Sequence, residues 1–337
     1  MKRSLHLFFM LMLSIVVLSA CGENNGEANE NASDNEEVDE DADYVIGATQ
    51  ILEHPSLDEA YEGFQAAIED SDLDATFDYQ NAQNDQNNVE TISNNFVADD
   101  VDLIFANSTP SALGALNATD DIPILFTSVT DAVDAELVDS MEEPGDNITG
   151  VVDLHPDAID ETVAFIDDNF DGANVGLIYN SGEANSVAQI DQVNEAVEGT
   201  SLSTSERTVS NSAEVQQAAD TLSGDVDVFY IVTDNTVVSA LDTVVEVAEE
   251  QQIPLLVGEP DSLEKGGFAT YGIDYFSIGE RTGEMAVDIL NGDKEPGEMD
   301  VEYPPEIELF INKDAAEAQG VEWDEDWDDE AEFVEDE

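Results

Sequence analysis

The sequence predicts an α/β protein made of two similar lobes, each with a parallel sheet flanked by helices, joined by a hinge. From Tyr44 onward, short apolar runs alternate with amphipathic stretches of helical length, which is typical of parallel α/β sheets. The chain has 337 residues, more than one hydrophobic core usually serves. Part of the chain also repeats later in the same order, which two lobes of like construction explain most simply.

Seven apolar runs are predicted strands, and they cover residues 45–49, 101–106, 122–127, 175–179, 226–232, 253–257 and 308–311. Helices are expected between them. The first, over 57–68, has apolar residues at three- and four-residue spacing, which marks one buried face. Ser56 precedes this stretch, and we expect it to cap the helix while Glu59 closes a capping box.

The repeat joins a strand, a polar tip, a helix and a strand that begins with Ile-Pro. It occurs over residues 101–125, with Ser108, Thr109 and Pro110 at the tip. It occurs again over 226–256, where the tip is Thr233, Asp234 and Asn235. Ligands of open parallel sheets bind beyond the carboxyl ends of the strands, so both tips are expected at a binding edge.

Composition suggests where the lobes part. Residues 144–150 are rich in turn formers, and residues 270–274 form a short β-prone passage late in the chain, so both are predicted hinge crossings. The first lobe is then predicted over 44–150 with about 273–300, and the second over 151–272 with about 301–320. An acidic tail follows over 321–337, and we expect Trp323 and Trp327 to pack on a lobe.

The N-terminus has the pattern of a secretory signal over residues 1–20. Lys2 and Arg3 precede an apolar stretch over 5–17, which is too short for an ordinary membrane span. Small residues and then Cys21 follow, an arrangement that resembles the lipobox of bacterial lipoproteins and implies lipidation of Cys21. An uncleaved anchor helix with an incidental thiol is the alternative. Residues 21–43, mostly Asp, Glu and Asn, are predicted to be a disordered tether to the membrane.

Charge excludes several partners. The chain has 81 Asp and Glu against 7 Lys and Arg, a formal net charge of −74. Such a surface repels nucleic acid and anionic lipid headgroups. Because concentrated salt screens like charges, the composition favours a salt-loving host. Calcium binding is the weaker interpretation, since no stretch matches a calcium-binding EF-hand loop.

No catalytic motif is present. Only His54 and His155 remain after the signal, and the sequence has no H-E-x-x-H, no G-x-S-x-G, no phosphate-binding loop and no G-x-G-x-x-G. Cys21 is the only cysteine, so a monomer forms no disulfide. The sequence therefore predicts neither an enzyme nor a cofactor or metal site.

Several segments carry a resemblance to a known family, and they cover residues 53–58, 78–83, 102–106, 180–181 with 183–186, 233–237 and 271–275. Together they resemble the substrate-binding lipoproteins of ABC importers, which have the type I periplasmic-binding-protein fold, and in particular the group associated with tryptophan and tyrosine uptake. The resemblance implies two lobes joined by three hinge strands that close over a small ligand, and it points to an aromatic amino acid. It also implies a monomer outside the cytoplasm, held to the membrane through Cys21 and docking on an ABC permease.

A cleft for an amino acid must satisfy a carboxylate, an ammonium and a side chain. For the carboxylate we expect strand-end hydroxyls, amides and helix N-termini, and the residues concerned are Ser108, Thr109, Thr127, Ser128, Asn180 and Ser181. Plain helix capping explains the same residue types. Asp234, Asp274 and Glu259 are candidates for the ammonium. For the side chain of the ligand, His54 is expected to be a polar contact in the cleft, whereas Phe126 and Tyr271 are expected to pack in the core or at the hinge.

Asn185, Thr233 and Asn235 complete the predicted ligand-binding set, since they lie in the family-like segments. Two alternatives stay open at this point. One is a ligand-sensing or adhesive surface lipoprotein without a permease. The other is an importer component for another small solute, such as a branched amino acid, a purine or a sugar.

Overall fold

The structure is a computed structural model that describes residues 42–334. The predicted signal peptide, Cys21, nearly all of the predicted tether and the last three residues lie outside the described residues. Within 42–334, none of the helices combines the length and apolar character that crossing a membrane requires.

The twelve strands of the described residues are, in chain order, β1 (Tyr44–Gln50), β2 (Ala75–Asn81), β3 (Leu103–Asn107), β4 (Ile124–Val129), β5 (Ile148–Val152), β6 (Asn174–Asn180), β7 (Ser203–Val209), β8 (Val228–Ile231), β9 (Leu255–Val257), β10 (Ala269–Gly272), β11 (Glu308–Asn312) and β12 (Glu332–Val334). The α-helices are α1 (Pro55–Glu69), α2 (Gln86–Ala98), α3 (Thr109–Ala118), α4 (Ala158–Asn169), α5 (Ala184–Val197), α6 (Val215–Leu222), α7 (Asn235–Val238), α8 (Leu241–Gln251), α9 (Asp261–Glu264), α10 (Tyr275–Leu290), α11 (Lys313–Ala318) and α12 (Trp327–Glu330).

Lobe 1 is a five-stranded sheet with α1, α2, α3 and α10. Its strand order is β2-β1-β3-β4-β5, and every pair is parallel. The central strands are buried along their whole length, as expected for a parallel sheet covered by helices on both faces. Helix α10 lies late in the chain and packs closely on α1. Gly63 and Gly279 allow this close packing, because a Cβ at either position would collide with the backbone of the facing helix.

Lobe 2 is a seven-stranded sheet with the remaining helices. Its order is β12-β11-β10-β9-β8-β6-β7, and its pairs are parallel except β10 with β11. The repeat seen in the sequence occupies equivalent places, since β3 and β4 are neighbours in one sheet and β8 and β9 in the other. The predicted class, two α/β lobes with largely parallel sheets, is confirmed.

Three chain crossings join the lobes: the first follows β5, the second runs from β10 into α10, and the third precedes β11. The first and third lie side by side, because Val152 N–H donates to Glu302 O over 2.9 Å and Glu302 N–H donates to Gly150 O over 3.0 Å. Arg281 of α10 donates to both carboxylate oxygens of Glu302, at 2.8 and 2.7 Å. Lobe 1 and the third crossing are thereby held together.

The predicted cap of α1 is wrong. The helix begins at Pro55 with His54 as its N-cap residue, and no side chain caps it. Proline at the first position removes one of the N–H groups that a cap would satisfy. Ser56 lies inside the first turn, and its hydroxyl contacts lobe 2 instead.

The C-terminal residues pack on lobe 2. Trp327 is buried, with its ring centroid 5.5 Å from that of Phe165 and 5.6 Å from that of Phe268. Strand β12 pairs with β11, and Lys313 Nζ lies 3.8 Å from the ring centroid of Phe333. The expected packing of the tryptophans is confirmed, and the described part of the acidic tail extends the second sheet.

Candidate functional site

A cavity lies between the two lobes at the carboxyl ends of their strands. Its volume is about 470 Å³, including the mouth that opens to solvent. The lining residues come from lobe 1 (Leu52, His54, Ser56, Leu57, Thr109, Ser128, Thr130), from the hinge crossings (Asp153, Tyr275) and from lobe 2 (Asn185, Thr233, Asp234, Asn235, Val238, Glu259). Both polar tips of the repeat are represented, as the topology requires.

Eight of the thirteen predicted ligand-binding residues line this cavity: His54, Thr109, Ser128, Asn185, Thr233, Asp234, Asn235 and Glu259. The other five lie nearby or elsewhere and do not line it. Ser108 caps α3, and Thr127 is buried within β4. Asn180 ends β6 and bonds to its neighbours, while Ser181 is exposed. Asp274 is exposed and caps α10.

Unpartnered polar atoms concentrate in the cavity wall. Among the described residues, eight buried side-chain N or O atoms have no hydrogen-bond partner, and five of them belong to lining residues: His54 Nε2, Thr109 Oγ1, Ser128 Oγ, Asp153 Oδ1 and Asn185 Oδ1. Buried polar groups in native proteins are nearly always paired, so a cluster of exceptions needs an explanation. A polar ligand that bonds to these atoms supplies one.

Asp153 and Tyr275 connect two hinge crossings at the floor of the cavity. Asp153 follows β5, Tyr275 begins α10, and the Tyr275 hydroxyl donates to Asp153 Oδ2 over 3.1 Å. Burial raises the pKa of Asp153 to about 6, although the hydrogen bond from Tyr275 acts in the opposite direction. The second oxygen, Oδ1, has no partner, so this carboxylate can accept a further hydrogen bond from the cavity.

Two serines near the N-terminus of α3 have unusual backbone angles. Ser108, the N-cap residue, has φ 130°, and Ser128 after the middle of β4 has φ 54°. Residues other than glycine rarely adopt such angles, and strain of this kind tends to persist at functional sites. Thr109, the first residue of α3, places its free hydroxyl beside the positive end of the helix dipole.

On lobe 2 the polar groups bond to one another. Asp234 Oδ2 accepts from Asn180 N–H at 2.6 Å, and Oδ1 accepts from Val237 N–H at 2.8 Å, which caps α7. Burial, and next the nearby Glu183 carboxylate, raises the pKa of Asp234 above its usual range. Asp234 therefore has a structural role that its strand-end position did not reveal.

Glu183 accepts hydrogen bonds from two residues next to Asp234. Its carboxylate accepts the backbone N–H and side-chain amide of Asn235, at 3.1 and 2.7 Å, and the N–H and hydroxyl of Thr236, at 3.1 and 2.7 Å. Gln189 in turn donates to the Thr233 hydroxyl over 2.8 Å. The lobe 2 wall is thus fixed before any ligand arrives.

A further set of polar contacts connects lobe 1 to lobe 2. Ser56 Oγ of α1 lies 2.9 Å from Glu259 Oε2 and also bonds to Asp261, both of which belong to lobe 2. His54 Nε2 lies 3.8 Å from Glu259 Oε1. Glu259 also accepts from the N–H and the hydroxyl of Ser262.

The charge of the cavity selects against anions. Asp153, Asp234 and Glu259 line it, and its lining contains no Lys or Arg. Leu52, Leu57 and Val238 supply apolar surface. Within residues 42–334 no group of three or more His, Cys, Asp or Glu is placed to hold a metal ion. The wall therefore suits a small organic molecule with a positive group and an apolar part.

The sequence analysis did not identify seven lining residues: Leu52, Ser56, Leu57, Thr130, Asp153, Val238 and Tyr275. The sequence obscures Asp153 because strand β5 overlaps residues 144–150, which are rich in turn formers and predict a hinge crossing in place of a strand. Had the strand been recognised, Asp153 would follow its carboxyl end as Asp234 follows β8. Phe126 and Tyr271 do not line the cavity and pack, as expected, within their lobes.

Known proteins resemble this chain over nearly all of its described length. The family model for ABC transporter substrate binding proteins matches residues 45–334. A tyrosine-binding protein of Clostridioides difficile is 40% identical over 322 residues, covering 94% of this chain and 92% of the relative.

Two solved structures, one with a bound ligand and one without, are also similar to this chain. A complex with L-Trp from Streptococcus pneumonia has a TM-score of 0.82 at 31% identity and covers 86% of this chain and 99% of its own. A ligand-free, open substrate-binding protein of Clostridium difficile, described as having adhesive properties, has a TM-score of 0.66 at 38% identity, covering 87% and 100%. With its two lobes, its cavity and these similarities, the chain belongs to the substrate-binding proteins of ABC transporters.

Proposed function

We propose that this protein captures an aromatic amino acid between its lobes and delivers it to an ABC permease. The observation that carries the proposal is the set of five unpartnered polar atoms around one cavity with an acidic and partly apolar wall. Sealing such atoms away from water without partners is costly, so a ligand that bonds to them is bound tightly and selectively.

The ammonium group of the ligand is assigned to Asp153. Its Oδ1 is an acceptor without a partner, and Asn185 Oδ1 is a second one on the opposite lobe. A carboxylate and an amide oxygen are suited to an ammonium, which only donates. Asp153 lies between the hinge crossings, so an ammonium bound there contacts the part of the molecule that closes.

The carboxylate group is assigned to Thr109 and Ser128. Their hydroxyls are free to donate, and Thr109 begins α3, whose N-terminus favours negative charge. With no cation in the lining, this is the part of the wall best suited to a carboxylate. The pair of assignments matches a zwitterion, whereas a simple anion would meet three carboxyl groups.

The side chain of the ligand is assigned to the apolar surface of Leu52, Leu57 and Val238. His54 Nε2 is available for the hydroxyl or ring N–H of an aromatic side chain. The tyrosine-binding relative and the L-Trp complex support an aromatic amino acid and do not rank tryptophan, tyrosine and phenylalanine for this chain.

The place of action follows from the family and the N-terminal pattern. Substrate-binding proteins of ABC importers act outside the cytoplasm, and we propose that acyl chains on Cys21 hold this one to the membrane as a monomer. A sensing or adhesive lipoprotein without a permease is the less favoured alternative. A sugar or a purine is less favoured as well, because a neutral ligand leaves Asp153 unmatched. A branched amino acid carries the same ammonium, and it is less favoured because the tyrosine-binding relative and the L-Trp complex point to an aromatic side chain.

Thermal-shift screening tests the proposal. Protein lacking the signal is melted in molar salt with each amino acid and with purines and sugars. At 100 times the dissociation constant, a ligand stabilises by about 2.7 kcal/mol, or about 4 °C for a chain of this size. We expect shifts with aromatic amino acids; shifts confined to sugars or purines would contradict the proposal.

The acidic surface is proposed to be an adaptation to concentrated salt. The seven basic residues cannot neutralise 81 acidic ones, so screening by ions must limit their repulsion. We expect the melting temperature to fall when the protein is dialysed into low salt. A melting temperature that does not depend on salt would contradict this interpretation.

A further inference from the structure

One contact between the lobes contains more hydrogen bonds than there are hydrogen atoms on its donor to form them. Ser56 and His54 belong to lobe 1, and Glu259 and Asp261 belong to lobe 2. Ser56 Oγ bonds to oxygens of both carboxyl groups, while Ser56, His54 and Glu259 are each less than 7% exposed. These atoms meet only while the lobes are closed.

The two hydrogen bonds of Ser56 Oγ require one hydrogen more than the ionised groups supply. A serine hydroxyl has one hydrogen, and ionised carboxylates only accept. Two hydrogen bonds between Ser56 Oγ and two carboxyl groups therefore need one more hydrogen. Glu259 already accepts two hydrogen bonds from Ser262, so Asp261 is the group left to carry it. Protonated Asp261 donates to Ser56 Oγ, and the Ser56 hydroxyl donates to Glu259 Oε2.

We propose that closure of the lobes takes up one proton, shared by Ser56, Glu259 and Asp261 across the cleft, and that this proton latches the closed state. The inference rests on the proposed function, since ligand capture is what closes the lobes. In the open state Ser56 leaves both carboxyl groups, and water again solvates Asp261. Ligand is then held more tightly as the medium becomes more acidic.

The surrounding charges support the same direction. Burial, then the neighbouring Glu259, raises the pKa of Asp261, whereas Ser56, His54 and Lys265 act to lower it. From lobe 1, Glu59 faces the same place, and burial followed by Asp261, Asp274, Glu62 and Glu264 raises its pKa to about 7. Asp153 and Tyr275 also face Glu259 from the hinge.

Proton linkage determines the direction in which pH changes the closure of the lobes. A carboxyl group with a higher pKa in the closed state than in the open state binds more protons when closed. Closure is therefore favoured as the pH falls through the closed-state pKa. One linked proton changes the affinity by at most about tenfold per pH unit.

Calorimetry in two buffers tests the latch. L-tryptophan is titrated into the protein in phosphate and in Tris, whose different heats of ionisation report the protons taken up on binding, at several values between pH 6.5 and 8. The test variant is Asp261→Asn, whose amide can donate to Ser56 without a bound proton. The control is Glu249→Gln, an exposed acid at the far end of α8.

We expect wild type and Glu249→Gln to take up more protons than Asp261→Asn, by up to one per ligand, and to lose affinity as the pH rises. Asp261→Asn should keep its affinity at pH 8. Equal proton uptake in wild type and Asp261→Asn would overturn the latch while leaving the proposed function intact.

If no aromatic amino acid binds, the proposed function fails, and the latch is then measured by small-angle X-ray scattering. Ligand-free wild type should be more compact at pH 6.5 than at pH 8, and Asp261→Asn equally compact at both. Scattering of wild type that does not change with pH would contradict the latch.

Discussion

The two walls of the cavity are built differently. On lobe 1, His54, Thr109 and Ser128 each present a buried polar atom without a partner. On lobe 2, Asp234 and Asn235 have their polar groups engaged with Glu183 and neighbouring backbone. Each wall includes the polar tip of one copy of the repeat, with Thr109 on lobe 1 and Thr233, Asp234 and Asn235 on lobe 2.

This difference teaches that position at a strand tip does not decide the role of a residue. The lobe 2 wall is a preformed surface whose hydrogen bonds hold α7 and the ends of β6 and β8 in place. Apart from Asn185 Oδ1, the unpartnered polar atoms of the cavity lie on the lobe 1 wall and on Asp153 of the hinge. We therefore expect changes on lobe 1 and the hinge to act mainly on affinity, and changes on lobe 2 mainly on stability.

The largest expected effect on affinity is that of Asp153→Asn. Removing the charge that faces the ligand ammonium forfeits a charge-assisted hydrogen bond of about 1.5–3 kcal/mol, which weakens binding about 10- to 100-fold. Isothermal titration with L-tryptophan measures this change. The control is Asp274→Asn, an exposed cap of α10 outside the cavity, which should bind as wild type. Equal losses in both variants would remove Asp153 from the site.

The pH dependence of binding tests the same carboxylate without a substitution at Asp153. Since burial raises the pKa of Asp153 to about 6, it becomes protonated as the pH falls below that value and no longer attracts an ammonium. Affinity should fall by up to about tenfold per unit below pH 6. In wild type the latch proton acts in the opposite direction, so Asp261→Asn, which lacks that proton, shows the effect of Asp153 alone. Unchanged affinity of Asp261→Asn at pH 5 would contradict the assignment of Asp153.

A smaller effect is expected for Thr109→Val. Valine keeps the shape of threonine and removes the hydroxyl assigned to the ligand carboxylate. A hydrogen bond to a charged group contributes about 1.5–3 kcal/mol, and Ser128 still donates to the carboxylate, so we expect the lower end of this range and a fall in affinity of about tenfold. Thr243→Val, outside the cavity on α8, is the matched control and should leave titration with L-tryptophan unchanged. Full affinity in Thr109→Val would place the carboxylate elsewhere.

The smallest effect on affinity, with the largest on stability, is expected for Asp234→Ala. The strand-tip argument assigns Asp234 to the ammonium, but its oxygens cap α7 and bind Asn180 N–H. Loss of a cap typically costs about 0.5–2 kcal/mol of stability. Chemical denaturation should show this loss while L-tryptophan affinity changes little. A stable variant with strongly weakened binding would reverse the roles of the two walls.

Much of the fold could be predicted because central parallel strands are continuous apolar runs, as in β3 and β4. Strands β2 and β7 were missed because they lie at or near sheet edges and carry polar residues, as in Ser203–Val209. Strand β5 was missed because its glycine suggested a turn, although Gly150 is required where its Cβ position meets the backbone of Phe126.

The site was predictable only where it depended on strand ends. Thr109, Ser128 and the second tip of the repeat follow recognisable strands, and the structure places them in one cavity. Ser56 and Glu259 are 203 residues apart in sequence, and nothing local to either indicates their contact. Which polar atoms remain unpartnered depends on the packed structure, so no sequence pattern could separate Asp153 from Asp234.

The most direct test of the account is to titrate the protein with L-tryptophan, tryptamine and indole-3-propionate at pH 7. Tryptamine keeps the ammonium that Asp153 is proposed to bind, whereas indole-3-propionate keeps only the carboxylate. If the unpartnered acceptors of the cavity bind an ammonium, we expect L-tryptophan to bind most tightly, tryptamine more weakly and indole-3-propionate least. Binding of indole-3-propionate as tight as that of L-tryptophan would contradict the account.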